Sequence, residues 1–358
     1  MSQNTLVKRK KSLNLGQYSF VLIFAALFLI YFFVNFKGGQ SQLKWTGVTN
    51  ILRHSAIVGL LSYGMAMIII TGDIDLSIGA ILGCVSSFGC VIANMMLNNG
   101  VSTGVGVLVT VLFCLVAGTV LGFLNGLLIG KVKLPAFIVT LATQLIFRSV
   151  SQYSSRILDP LLKGGSSNTY RVSNGAIRDA MYGFGNGQIL KNSLALPITG
   201  LIFLAVGILL IYVTTSTKYG KRLYAIGSNT KAAHMAGINV EWTRVSVFTV
   251  AGLLCGIGAT LWICQQGGVD PATTGVNNEM FGIAATVLGG IAMSGGKGKL
   301  VGVIFGAMSY TLIDKIIAAL NVDSLINNSI KGLILLVAIV IQVLGPQLRN
   351  VIAAKKAK

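Results

Sequence analysis

Residues 220–240 read GKRLYAIGSNTKAAHMAGINV, a segment set between two long apolar runs. It carries Lys221, Arg222 and Lys231 and no acidic residue. Ser228, Asn229 and Thr230 are of the types that cap a helix start, and Gly237 is of the type that ends one. The stretch therefore reads as a very short basic helix marked at both ends. Its reading decides the fold, because a basic connector between apolar runs is what a cytoplasmic loop of a membrane protein looks like.

The rest of the chain agrees. Of its 358 residues 54% are hydrophobic and only 10% charged, against about 25% charged in soluble domains. The mean hydropathy is +0.78. Backbone groups in lipid must be satisfied within a helix or a closed barrel. Long unbroken apolar runs, rather than ten-residue alternation, select helices. The expected fold is an all-α polytopic membrane protein. A net charge of +19 does not point to nucleic acid, because the basic residues are spread over loops and termini, where they report orientation. Cys84, Cys90, Cys114, Cys255 and Cys264 all fall in apolar runs with no CxxC. With only two histidines, His54 and His234, neither a metal site nor a disulfide framework is expected.

Ten candidate spans can be drawn: roughly 18–36, 53–71, 75–97, 105–129, 136–153, 195–215, 243–265, 280–293, 300–320 and 326–345. The eighth is short and rich in small residues. A basic N-terminus, 1–17, precedes them and a basic tail, 346–358, follows. With the N-terminus inside, the inner loops 131–135, 216–242 and 294–299 and the C-terminal tail are all basic, so both termini are expected in the cytoplasm. The long loop 154–194 falls outside. It is too short for a core of its own and reads as a lid or docking surface, with Arg156, Arg171 and Arg178 as its candidate docking groups. Gly118, Gly122, Gly126 and Gly130 share one face of the fourth span, and Gly302 and Gly306 one face of the ninth. Such faces allow close helix approach, either within one subunit or across a dimer seam.

No GxxxxGK[ST] occurs, so the chain has no phosphate loop of the usual kind. Any energy for transport comes from an ion gradient or from a partner. Asp73, Asp75, Glu279 and Asp314 are the acidic residues near spans, and each lies near a span end, which argues against a mid-membrane proton relay. In TGDIDLSIG, 71–79, Asp75 and Ser77 are placed to cap the third span; a role in a translocation path is the other reading. Asn125, Gln144, Arg148, Gln152 and Trp262, with Gln265 and Gln266 near the outer end, could line a polar path for a neutral sugar. Each alone also suits an interhelical hydrogen bond.

TGDIDLSIGA at 71–80, FLNGLLIGKVKLPAFIVTLAT at 123–143, YGKRLYAIGSNTKAAHMAGINV at 219–240 and LGGIAMSGGKG at 288–298 together resemble the membrane-spanning permease subunit of monosaccharide ABC importers of the ribose, galactose and xylose class. The resemblance covers roughly residues 50–345. It implies about ten transmembrane helices and a dimer, formed with a second copy or a related permease, in the bacterial cytoplasmic (inner) membrane. It implies a cytoplasmic ATPase that holds ATP and Mg, with no cofactor on this chain, and an extracytoplasmic sugar-binding protein. It makes the 216–242 loop the coupling element, with Gly220, Arg222, Ser228, Asn229, Lys231, Ala232, Ala233, Ala236 and Gly237 as its residues. The chain departs from the family pattern at Asp73, where glycine is usual, and at Phe281, which takes the place of an aspartate near Glu279. The candidate solute path then comprises Asp73, Asp75, Asn125, Gln144, Trp262, Gln265, Glu279 and Phe281. A permease for nucleosides or another small polar solute would share the fold. An ion-coupled secondary carrier would need an ion site that the spans do not display.

Overall fold

The computed structural model describes residues 19–37, 45–158, 170–172, 175–189 and 195–320, with isolated positions between 326 and 340. The basic termini, the central part of the outer loop and most of the tenth expected span lie outside the described residues. Helices α1 (Ser19–Lys37), α2 (Trp45–Ile70), α3 (Ile78–Asn98), α4 (Thr103–Gly130) and α5 (Ala136–Leu158) form the first half. After an outer segment containing α6 (Ala176–Asn186) come α7 (Ile198–Ser216), the short α8 (Lys218–Ser228) and α9 (Thr230–Met235), then α10 (Val240–Gln266), α11 (Asn278–Leu288) and α12 (Val301–Ala319). Every expected span through the ninth meets a helix.

Six of these helices, α2, α3, α4, α7, α10 and α12, are long and apolar enough to cross a membrane. The chain is a multi-pass membrane protein. α1 is 19 residues of nearly unbroken apolar sequence, of which Phe20–Val34 is described as an apolar helix. The other two expected spans fall short for separate reasons. α5 carries Arg148, Arg156 and a run of hydroxyl and amide side chains. α11 has 11 residues, a rise of about 16 Å, roughly half the hydrocarbon layer.

α2, α3 and α10 form the buried centre, and α4, α5 and α7 stand around it with apolar outer faces such as Leu112, Val116, Leu145 and Ile208 open. Helices gain no hydrophobic driving force against one another in lipid, so close backbone contact has to hold them. The glycine faces supply it. A β carbon on Gly118 would stand 2.8 Å from Gly256 N, and one on Gly122 2.7 Å from Gly252 Cα. One on Gly126 would lie 2.7 Å from Val245 O, and one on Gly130 2.6 Å from Glu241 O. Thus α4 and α10 lie backbone to backbone along most of their lengths. Gly302 and Gly306 do the same for α12 against Ala285 and Gly289 of α11 and its C-cap. Both stripes are packing faces within one subunit, not a seam between subunits.

The outer segment is more structured than a lid. α6 buries Ile177, Met181 and Gly185 at four-residue spacing and leaves its other face open, the pattern of an amphipathic helix lying across others. Gly185 sits against the Cys264 backbone of α10. Strand β1 (Tyr170–Arg171) pairs antiparallel with β4 (Gly268–Val269), and β2 (Gln188–Ile189) with β3 (Leu196–Pro197). Among the described residues, four short strands in a chain expected to be purely helical are thus confined to the end opposite the 216–242 connector. Arg178 is half-buried on α6. Arg156 lies on α5 and Arg171 on β1, their side chains beyond the described atoms.

Candidate functional site

Two polar regions emerge, one at the end of the molecule where the basic loops gather and one inside it. At the basic end, the Lys131 and Lys133 ammonium groups both lie 3.0 Å from the Glu241 carboxylate, joining the end of α4 to the start of α10. Lys131 also sits 4.6 Å above the Trp242 ring.

The connector between α7 and α10 is built from capping residues. The Thr217 hydroxyl accepts from Gly220 N at 3.3 Å and starts α8. The Asn229 side chain accepts from Ala232 N at 3.0 Å and starts α9. α9 closes as a Schellman motif: Gly237, at φ +78°, donates to His234 O at 3.0 Å, while Ile238 N donates to Ala233 O at 3.1 Å. Asn239 then caps α10 by accepting from Trp242 N at 3.1 Å. The marked short helix read from the sequence is therefore present, with a longer helix ahead of it.

α8 is fastened to the membrane core. Leu223 and Ile226 are fully buried. Tyr219 Oη lies 3.0 Å from Ser246 Oγ, and Tyr224 Oη donates to Gly298 O at 2.9 Å. Gly296 N donates to Ile70 O at 2.9 Å, tying the 290–298 turn to the end of α2. Gly227 is wedged against that Ile70 carbonyl, and Gly220 against the Thr214 backbone, so a β carbon fits at neither. What remains open is a platform: Arg222, Ser228, Asn229, Lys231, Ala232, His234, Ala236 and Gly237, with Met235 88% exposed. Ala233 is not on it. At 4% exposure it is packed against its own chain, so the small residues left on the open face are Ala232 and Ala236. Loss of the Asn229 cap should cost about 1 kcal/mol. Asn229→Ala is expected to speed amide exchange across 230–236 about five-fold, with global melting hardly moved; unchanged exchange would deny the cap its role.

The second region lies where α3 and α11 begin. Cys255 Sγ contacts Ile78 O at 3.6 Å. Cys255 is fifteen residues into α10, about 22 Å from its start, so α3 begins deep in the layer. Residues 71–77 climb to that point without helical structure. Asp75 Oδ1 accepts from Ser77 N at 2.7 Å and from Ser77 Oγ at 2.6 Å, and Asn125 Nδ2 donates to Ser77 Oγ at 2.8 Å. Asp75 thus folds the turn ahead of α3 and does not reach the first free amides of the helix, correcting the expected cap. Asp75, Ser77 and Asn125 are all 0–1% exposed.

Glu279, in the first turn of α11, packs against Gly79 of α3. Gln144 Nε2 of α5 donates to Glu279 Oε1 at 3.3 Å. Arg148 Nη1, one turn on, donates to Thr274 O. Gly79, Gly83 and Gly275 let the 270–277 loop lie directly on α3. Two helix starts, a carboxylate, an amide and a guanidinium therefore converge in the interior, an arrangement suited to holding a polyhydroxylated solute by hydrogen bonds. Glu279 Oε2 has no hydrogen-bond partner among the described residues.

The other expected path residues go elsewhere. Asp73 Oδ2 lies 3.0 Å from Arg244 Nε near the basic end. Burial raises the Asp73 carboxyl above the ordinary carboxylate range, and the Arg244 charge works in the opposite direction. Gln265 braces the outer end by donating to Thr199 Oγ1 at 3.2 Å and to Arg53 O at 3.4 Å. Trp262 is half-buried against the hydrophobic core. Phe281 stacks on Tyr310 with ring centroids 4.9 Å apart. Arg244 is not singled out in the sequence, although a cation at the second position of an expected span, 243–265, is a signal in itself. Gly296 reads from the sequence as part of a tight turn, but nothing local shows that it and Tyr224 fasten the platform. Among the described residues no group of three His, Cys, Asp or Glu could hold a metal.

A family model described as the permease component of branched-chain amino acid transport systems matches residues 47–343. The ribose import permease protein of Bacillus subtilis is 34% identical over 319 residues, covering 89% of this chain and 91% of that protein. The xylose transport system permease protein of Haemophilus influenzae is 30% identical over 374 aligned positions, covering 92% and 96%. The ribose import permease protein of Escherichia coli K12 is 30% identical over 292 residues, covering 82% and 84%. Among solved structures, an inward-facing metal-chelate type ABC transporter aligns at a TM-score of 0.45 and 15% identity, over 88% of this chain and 96% of its own.

Proposed function

We infer the function of this chain from the family to which it belongs, the permease components described for branched-chain amino acid transport systems, whose ribose and xylose import members share about a third of its residues along nearly its whole length. It is the membrane-spanning subunit of a monosaccharide ABC importer in the bacterial cytoplasmic membrane. Solute specificity follows the ribose and xylose permeases rather than the amino-acid description, and the hydrogen-bond donors and acceptors of the interior cluster of Gln144, Arg148 and Glu279 suit a sugar. The proposed assembly is a dimer of subunits of about ten spans each, with both termini cytoplasmic. An ATPase partner holds ATP and Mg, and a sugar-binding protein docks outside, with Arg156, Arg171 and Arg178 as candidate contacts. The permease itself lowers no chemical barrier; it exchanges outward and inward access as the ATPase cycles.

The platform carries this reading. α9 is capped at both ends and fastened through α8 to α2, α10 and the 290–298 turn, so a push on α9 is passed to the spans rather than absorbed by a loose loop. Its exposed face is basic and small, suited to a groove with acidic walls. All five native thiols are buried. In membranes that also hold the ATPase, a cysteine placed by Met235→Cys should therefore crosslink to that partner, with yield changing when ATP is added. A chain that crosslinks to nothing at this position would remove the coupling role from α9.

For the solute path we propose the Gln144–Arg148–Glu279 cluster. Hydrogen bonds to charged groups contribute about 1.5–3 kcal/mol, so Glu279→Gln should raise the half-saturating sugar concentration for uptake about ten-fold or more at unchanged expression. Saturation at the wild-type concentration would take Glu279 out of the path.

A further inference from the structure

The end of the bundle opposite the platform holds a polar cavity, of about 380 Å³, between α2, α12 and Lys331. Its size is within the roughly 300–1,000 Å³ of small-ligand pockets, and its lining is cationic. Lys315 and Lys331 share one carboxylate, Asp314, and a neutral His54 completes the polar lining. Lys331 Nζ lies 2.7 Å from Asp314 Oδ1, so that pair is neutral and the Lys315 charge is left over. The neighbouring Arg53 donates to the Asn186 amide oxygen at 2.7 Å, a neutral partner. Tyr310 also lines the cavity. It is 5% exposed, yet its hydroxyl has no hydrogen-bond partner among the described residues.

A buried hydroxyl without a partner is destabilising, and surplus positive charge inside a span is costlier still. Both costs are relieved by one ligand: an anion that accepts from Tyr310 Oη and from the two lysines. A phosphate group suits this set, because it offers several acceptor oxygens and negative charge at one point. The depth fits a headgroup. Lys315 is four residues from the end of α12, about 6 Å of rise, and Tyr310 nine residues, about 14 Å. We propose that this cavity binds a phosphate group, supplied either as the phosphodiester of an anionic phospholipid or as free phosphate. Nothing in the proposed coupling or solute path uses these residues.

The test is native mass spectrometry and thermal unfolding of the full chain, purified in detergent and stripped of lipid. The probes are phosphatidylglycerol, phosphatidylcholine and inorganic phosphate. Wild type should retain one phosphatidylglycerol per chain in preference to phosphatidylcholine. Lys315→Gln should weaken retention at least ten-fold, and Tyr310→Phe several-fold. Stabilisation by inorganic phosphate with the same dependence on Lys315 and Tyr310, and without selective retention of phosphatidylglycerol, would assign the site to the free ion. Tyr310→Phe removes a single oxygen that the fold does not use, so it decides the matter if Lys315→Gln fails to fold. Retention and stabilisation that are the same in wild type and in the variants would overturn the proposal.

Discussion

Gly122→Leu should leave almost no folded protein in the membrane. At this position α4 touches α10 without side chains between them: a β carbon would lie 2.7 Å from Gly252 Cα and 2.9 Å from Gly252 N. These are backbone atoms of a central, buried helix, so no flexible side chain can move aside. Overpacking a close-packed core costs about 1–3 kcal/mol where side chains can adjust; here the two helices would have to separate, and Gly118 and Gly126 would lose their contacts as well. The expected result is a loss of more than about 3 kcal/mol, seen as aggregation on detergent extraction and disappearance of the melting transition. Gly104→Leu is the control. Nothing lies within 4 Å of a β carbon there, and the variant should extract and melt like wild type. If Gly122→Leu melted normally too, the direct backbone contact between α4 and α10 would be wrong.

Ala232→Trp should abolish uptake while leaving the subunit folded. Ala232 is exposed on the platform and one helical turn from exposed Ala236, so an indole there lies between α9 and whatever docks on it. Misfit of a bulky group costs about 1–3 kcal/mol, up to about a hundred-fold in the docking equilibrium. Transport that depends on each ATP cycle should fall by that factor or more, and transport-stimulated ATP hydrolysis with it. Ala233→Trp provides the contrast. Ala233 is buried against its own chain, so its variant should lose stability first and transport only as a consequence. Full uptake by Ala232→Trp, with melting unchanged, would end the assignment of this face to a partner.

The sequence alone determined the membrane class, the helical architecture and the short capped helix. These follow from local properties: apolar runs long enough to span, basic loops, and Asn229 and Gly237 at positions where a backbone amide or a positive φ demands them. For the first nine spans the limits agree within about five residues, apart from α2, which starts at Trp45, eight residues before the expected boundary, because half-polar residues such as Thr46, Thr49 and Asn50 can continue a helix that packs on neighbours. The α6 helix was missed for a related reason. Its buried positions are Ile177, Met181 and Gly185 on one side, and its 11 residues are too few for a hydropathy window, although the four-residue spacing is readable.

Only the tertiary structure decided which polar residues meet. Gln144 and Glu279 are 135 residues apart in sequence and Asn125 and Ser77 are 48 apart; nothing in the local pattern of either partner points at the other. The same holds for the glycine stripes, whose spacing allows a close contact without naming the partner, and for Ala233, which shares its chemistry with Ala232 but not its direction. A helix face is fixed by periodicity, whereas the neighbour of that face is fixed by how all the helices pack at once. That is why class and span boundaries were legible in the sequence, while the interior cluster, the inward turn of Ala233 and the cationic cavity appeared only in the folded chain.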